Sequence, residues 1–260
     1  MMLSVIVITK NEAERLPRCL ESVAFADEII VVDSGSDDDT VAVAQRYTEK
    51  VYVTRDWPGF GAQKNRALAH ATGEWVLSLD ADEWLSSELA AEIMAVLKAP
   101  ASDVYELSRL SSFCGRSMRH SGWWPDRVVR LFKCGAARFS DDLVHERLVF
   151  NGPSKALQGI LNHESFRTLV DVMNKANSYS SLGAQQALER GSTGGLGKAI
   201  AHAVWAFIRT YWIRRGFLDG REGLMLAIAN AEGVYYRYLK LMYLIKKQNS
   251  DATKGLRAGA

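Results

Sequence analysis

Within the first 85 residues, short apolar runs alternate with stretches of helical spacing, and several runs stop abruptly at polar or acidic residues. LSVIVIT (3–9), DEIIVVD (27–33), KVYVT (50–54) and EWVLSL (74–79) are rich in β-branched residues. Near-continuous apolar runs of this length predict strands covered on both faces. Between them, NEAERLPRCLESV (11–23), DDTVAVAQRYT (38–48) and AQKNRALAHAT (62–72) read as helices. Strand–helix alternation with short connections requires right-handed crossovers. The expected fold is therefore α/β, a mostly parallel, Rossmann-like sheet with helices on both faces. In open sheets of this kind, ligands gather beyond the carboxyl ends of the strands. Three segments lie at such ends: TKNE (9–12), DSGSDDDT (33–40) and DADE (80–83).

The remaining bounds are looser. At 48% hydrophobic and 24% charged residues, the chain has globular composition. Cys19, Cys114 and Cys134 form no CxxC pair, which favours a reduced setting over a zinc cluster. MMLSVIVITKNE has no basic leader, so no signal peptide is expected. No apolar run reaches the roughly 18–20 residues of a membrane span. The net charge of +2 is unevenly spread, with +7 from Lys198 onward and −5 before it. An α/β domain over 1–165 and a helical, basic region over 166–260 are expected. The latter reads as helices over 164–188, 196–217 and 220–247, with a flexible GSTGG joint at 191–195. Trp205, Trp212 and Tyr235 lie among its basic residues. That pattern fits helices lying in a membrane interface, against the alternative of an ordinary packed hairpin. No nucleic-acid partner is expected.

Each strand-end segment supports a chemical reading and a plainer one. Asp80 and Asp82 are positioned to share a divalent cation, Mg²⁺ or Mn²⁺, with substrate phosphates. Alternatively, they precede a helix that Ser86 caps. Asp33 can accept a hydrogen bond from a base or sugar, or simply close the turn at Gly35. Lys64 can meet a diphosphate, or sit on a solvated helix face. No GxGxxG follows the first strand, which argues against a dehydrogenase. A phosphohydrolase with an aspartate nucleophile would want its DxD on the first strand and a small or β-branched residue where Trp84 stands.

In order and spacing, SVIVITKNE, EIIVVDSGSDDDT and GFGAQKNRALAHATGEWVLSLDADE resemble the nucleotide-binding half of GT-A glycosyltransferases of family two. The likeness covers roughly residues 2–150. It implies an inverting transferase with a nucleotide-diphosphate sugar donor and a divalent metal. By motif, Thr9, Asn11 and Glu12 would line the nucleoside pocket and Asp33 would bind the base. Lys64 stands where an arginine is usual. Asp80 and Asp82 would contact ribose and the metal–diphosphate. The common DDGS is DSGS here, with Ser34 in place of the second acid.

HSGWWPDRVVRLFKCGAARFSDDLVHERLVFNG (120–152) and the later ILNHES also resemble one branch of that family, the lipopolysaccharide core β-1,4-glucosyltransferases and their relatives. This implies a hexose donor, UDP-glucose first, and a heptose acceptor in the lipopolysaccharide inner core. The enzyme would then work in the cytoplasm, peripherally at the inner face of the cell membrane. Other lipid-linked or polysaccharide acceptors, and a non-catalytic sugar-nucleotide binding protein, are the alternatives. Inverting transfer needs one general base beside the acceptor hydroxyl. Glu146 is favoured over Asp142 and Asp141. His145 is the first candidate to join Asp82 at the metal, and His163 the second. Trp123 and Trp124 suit either sugar stacking or core packing. Arg127 and Arg130 would meet an anionic acceptor or face water.

Overall fold

The computed structural model describes residues 1–140 and 147–258, with side chains described through residue 250. In chain order the elements begin with β1 (Leu3–Thr9), α1 (Leu16–Glu21), β2 (Glu28–Asp33), α2 (Thr40–Ala44), β3 (Val51–Val53) and α3 (Phe60–Ala69). They continue with β4 (Trp75–Asp80), β5 (Glu83–Leu85), α4 (Ser87–Lys98), β6 (Val104–Phe113), β7 (Arg116–Ser117) and β8 (Asp126–Lys133). The last are β9 (Ala137–Phe139), β10 (Leu148–Phe150), β11 (Lys155–Phe166), α5 (Leu169–Glu189), α6 (Leu196–Ile208) and α7 (Gly220–Ala258). The chain divides into two compact units, Met1–Leu110 with Pro125–Glu164, and Ser111–Trp124 with Ser165–Ala260.

The first unit is built on a sheet of order β3-β2-β1-β4-β8-β6-β11-β5. Its first four strands are parallel, as their apolar runs predict, while β8, β6 and the β11–β5 pair extend it antiparallel. Alternate residues of β1 feed two cores. Leu3, Val5 and Val7 pack with Leu16, Leu20, Leu89 and Ile93 from α1 and α4. Ile6 and Ile8 pack with Ala67 of α3 and Phe132 and Phe139 on the other face. Helices therefore cover both faces.

The early helices are shorter than their spacing suggests. Residues 11–15 stay outside α1 because they are tied to the loop after β2. Asn11 is left-handed (φ 55°), its N–H donates to Ser36 Oγ, and its Oδ1 accepts from Asp37 N, each at 2.8 Å. Glu12 N donates to Thr40 Oγ1 at 2.8 Å and Ala13 N to Asp38 Oδ2 at 3.3 Å. Side chains that satisfy backbone groups locally compete with helix formation.

In the second unit, the last residues of β6 pair with β7. Thr168 and Asp171 form a reciprocal capping box at the start of α5. Residues 164–166, expected to be helical, instead end β11. The helix expected over 196–217 is α6 followed by a π-helical turn at Arg209–Ile213 and a 3-10 turn at Gly216–Asp219. Phe113, Met118, Val172 and Leu226 form the core, with Trp123 and Phe166 packed around Phe113. Buried Asp219 accepts from Arg119 N, His120 N and Ser121 Oγ at 3.0–3.1 Å, pinning that hairpin.

Glu28 fastens the amino end of the parallel strands. Its carboxylate accepts from Ser4 Oγ, from Thr72 N at 2.9 Å and Oγ1 at 3.0 Å, and pairs with Lys50 Nζ. Burial pushes its pKa up, but the hydrogen bonds from Lys50, Ser4 and Thr72 outweigh burial and bring it from 4.5 to about 2. A lowered native pKa contributes stability that is present above the unfolded value and fades as pH falls toward the native one. Glu28→Gln should therefore cost about 1–3 kcal/mol near neutral pH. Denaturant titrations should show that gap closing as pH drops from 4.5 toward about 2. A gap that stays constant with pH would remove Glu28 from this role.

Candidate active site

The three strand-end segments meet at one edge of the first unit. Thr9 lies in register with Asp33 of β2, and Ile8 with Asp80 of β4. A cleft of about 680 Å³ opens there, lined by the TKNE residues, Asp80–Asp82, Trp57, Phe60 and His163. The Thr9 hydroxyl is buried and has no hydrogen-bond partner among the described residues. Buried polar atoms are normally paired, so this one fits a ligand group in the cleft.

Asp80 leaves β4 with a cation on each oxygen. Lys64 Nζ of α3 sits 2.9 Å from Oδ1, and Arg130 Nη2 of β8 donates to Oδ2 at 2.6 Å. The same Arg130 nitrogen donates to Glu83 Oε1 at 2.6 Å, and Arg109 Nη1 reaches that oxygen at 3.2 Å. Glu83 Oε2 in turn accepts from Asp80 N at 3.1 Å, closing the turn on itself. Burial raises the pKa of Asp80, but Arg130 and Lys64 overcome it and hold the carboxyl well below the usual range. Burial lowers that of Arg130, and Asp80 and Glu83 more than reverse it. Asp80 and Arg130 therefore stabilise each other's charged forms.

Asp82 is contacted at longer range. Its Oδ2 lies 3.4 Å from His163 Nε2 and 3.6 Å from Arg15 Nη1. His163 arrives on β11, which pairs with β5 so that His163 opposes Glu83. Glu164 N donates to Asp82 O at 2.9 Å and secures that register. Arg15 also lies 3.3 Å from Glu12 and 3.7 Å from Glu164, so one guanidinium sits among three carboxylates. The described residues contain no group of three or more metal-ligating side chains. Mg²⁺ is commonly held by one or two carboxylates with substrate phosphates and water, and Asp82 supplies one such carboxylate at the cleft. Asp80, with both oxygens engaged, does not offer a free carboxylate.

Other expectations sort as follows. Ser86 caps α4 by accepting from Leu89 N at 3.2 Å, but the DADE turn itself precedes β5 rather than a helix. Asp33 is fully buried and closes its turn, accepting from Gly35 N at 2.9 Å and Ser36 N at 2.8 Å. Gly35 there has φ 76°, a conformation that favours glycine. Ser34 accepts from Gln63 Nε2 at 3.0 Å, so the residue replacing the usual acid ties the turn to α3. Lys64 is buried rather than on a solvated face, and Asn65 brackets Phe139 of β9 through its N and O, both at 3.0 Å. Arg130 neither faces water nor awaits an acceptor: it is buried and committed to Asp80 and Glu83. Arg127 is exposed and donates to Leu157 O at 3.3 Å. Trp123 packs in the core of the second unit, and Arg119 lies over Trp124. Asp141, Asp142, His145 and Glu146 lie outside the described residues. The sequence reading missed Glu83, although DADE contains it. It also missed Trp57 and Phe60, whose rings meet edge to face at the cleft.

The family model for glycosyl transferase family 2 matches residues 4–145. The chain belongs to this family. It is a glycosyltransferase, and its fold is of the GT-A type that its motifs implied. An uncharacterized glycosyltransferase of Rickettsia typhi is 33% identical over 265 residues, covering 96% of this chain and 90% of the relative. The lipopolysaccharide core biosynthesis glycosyltransferase LpsC of Rhizobium meliloti is 31% identical over 253 residues, covering 91% and 93%. The solved structure of S. aureus TarS 1-349 in complex with UDP-GlcNAc shares the fold at 18% identity and a TM-score of 0.50, covering 95% of this chain and 92% of that one.

The network predicts an asymmetric cost of mutation. Arg130→Met leaves Glu83, with 0% exposure, without its nearest cation. Breaking one side of a buried ion pair costs about 3–5 kcal/mol. Arg130→Lys keeps the charge but not the planar fork and should fall between the two. Urea midpoints should rank wild type above Arg130→Lys above Arg130→Met; equal midpoints would mean that Arg130 is dispensable.

Proposed function

We propose that the chain transfers a hexose, glucose first, from a nucleotide-diphosphate sugar to a heptose of the lipopolysaccharide inner core, with inversion at the anomeric carbon. The observation that carries this reading is the cleft at the ends of β1 and β4, where Asp82 and His163 meet beside the TKNE loop. The lipopolysaccharide core relative in Rhizobium meliloti supports the acceptor, and the UDP-GlcNAc held by TarS supports a uridine diphosphate donor. A lipid-linked acceptor would bring the enzyme to the inner face of the cell membrane as a peripheral protein.

The roles follow from the placement of the residues. The unpartnered Thr9 hydroxyl, with Asn11 and Glu12, would hold the nucleoside. Asp33 would serve it by shaping the loop. Trp57 and Phe60, both about half exposed, offer ring faces to the base. Lys64 and Arg130 balance Asp80, so a diphosphate approaches a turn whose first acid is already neutralised. A divalent cation, Mg²⁺ or Mn²⁺, would be held by Asp82 with His145, or with His163 in its place, and would supply charge neutralisation to the leaving nucleotide. Glu146 would accept the proton of the attacking acceptor hydroxyl, with Asp142 the alternative base. No covalent enzyme intermediate is required.

A donor screen against purified inner-core acceptors, with and without metal, tests the whole reading. Product of inverted configuration from UDP-glucose is expected, and chelation should abolish it. Product from no donor, or full activity in excess chelator, would overturn the reaction or the metal role respectively.

Single variants then separate donor from acceptor chemistry. Asp82→Asn should nearly abolish transfer without lowering the thermal midpoint. Glu146→Gln should cut kcat about 10²–10⁴-fold and leave donor affinity near wild type, because a base acts mainly in the transition state. Normal turnover by Glu146→Gln together with a dead Asp142→Asn would move the base to Asp142.

A further inference from the structure

The second unit carries a helix whose outward face is more apolar than its inward one. In α6 the residues that face the unit are small, Ala199 at 0% and Ala206 at 4% exposure. The bulky apolar residues point outward: Leu196, Ile200 and Val204 follow one another at helical spacing, and Trp205 is 53% exposed. The π-helical turn continues the face with Trp212 and Ile213, each 59% exposed, and the 3-10 turn adds Phe217 and Leu218. A soluble helix ordinarily shows the reverse arrangement. Contiguous exposed apolar surface of this kind marks an interaction site.

Charge identifies the partner. From Arg190 to Leu218 the chain holds Arg190, Lys198, Arg209, Arg214 and Arg215 and no acidic residue. Arg209 and Arg215 are exposed alongside the two tryptophans. A second copy of the chain, docked by this face about a two-fold axis, would set these cations against their own images. An anionic bilayer surface meets both features, burying apolar side chains at the headgroup boundary while Lys and Arg pair with lipid phosphates. Tryptophan is enriched at that depth. Spanning is excluded for the described helices, since none is long and apolar enough to cross a membrane.

We infer that the outward face of α6 and the two turns after it is a docking surface for an anionic lipid bilayer. Two of the basic residues of α7 are engaged within the unit. Lys240 Nζ donates inward to Asn177 O and to Ser180 Oγ and Ser181 Oγ of α5 at 2.8–2.9 Å, and Arg237 stacks on Tyr238. The inference deepens the lipid-linked reading of the acceptor, yet its test needs no acceptor.

Flotation of the full chain with vesicles of phosphatidylcholine, alone or mixed with phosphatidylglycerol, reads the surface directly. Wild type should float with the mixed vesicles and dissociate in part as salt rises. The triple change Lys198→Glu, Arg209→Glu, Arg215→Glu should lower partitioning about a hundredfold or more. The pair Trp205→Ser, Trp212→Ser should lower it about tenfold or more at any salt concentration. Thermal midpoints near wild type would show that both variants fold, and if one does not, the other decides. No flotation of wild type, or flotation unchanged in a folded variant, would overturn the surface. So would a wild-type dimer that the tryptophan pair dissolves, since the face would then be a self-association site. Transfer to a soluble, delipidated acceptor should survive both variants. Its absence in wild type would count against the proposed reaction and not against the surface.

Discussion

A half-buried carboxylate at the mouth of a parallel sheet is stabilised by cations on it, and Asp80 has two. Lys64 comes from α3, Arg130 from β8, Glu83 from β5 and Arg109 from β6, so one charge network cross-links four elements to the tip of β4. The Asp80 carboxyl is held charged by its two bases, and the turn backbone donates to Glu83. Such a network is costly to half-dismantle and stiff when complete. Its product is a rigid β4–β5 turn that holds Asp82 at the cleft. The division of labour inside DADE follows. Glu83 is a structural charge turned inward, Asp80 lines the cleft with both oxygens held by cations, and Asp82 is the acid with only longer-range contacts.

Period and punctuation made the first four strands readable. LSVIVIT appears as Leu3–Thr9 and EWVLSL as Trp75–Asp80, because a buried parallel strand writes its burial into consecutive residues. The convergence of TKNE, DSGSDDDT and DADE was equally legible, since topology alone carries them to one edge. What the pattern could not reveal is pairing across long separations. Nothing near Arg130 says that it reaches Asp80, 50 residues earlier, and its neighbour Arg127 has the same local appearance yet is exposed. Likewise, His163 joins Asp82 only because β11 pairs with β5 in one register, and a shift by one residue would turn it to the other face.

Loop chemistry explains the misjudged helices. Helical spacing over 11–23 is real, but its first turn is lost to hydrogen bonds with the Ser36–Thr40 loop. The DSGSDDDT segment therefore does two things that its composition does not distinguish: Asp33 builds its own turn, and Asp38 and Thr40 clasp the neighbouring loop. In the tail, helices were legible from periodicity, whereas the facing of each was not. Alanines inside and tryptophans outside contradict the rule by which apolar residues are assigned to cores.

The β5–β11 pairing also bears on where this enzyme can be divided. The family-matched segment ends at residue 145, but the strand that covers β5 and delivers His163 is Lys155–Phe166. The stretch recognisable as the shared module is thus shorter than the piece that completes its own cleft. A gene fusion, a domain exchange or a fragment cut at the end of the shared stretch would carry the acidic turn across but leave behind the strand that braces it. The family-matched segment and the piece that assembles the cleft have different borders here, and the second runs through β11.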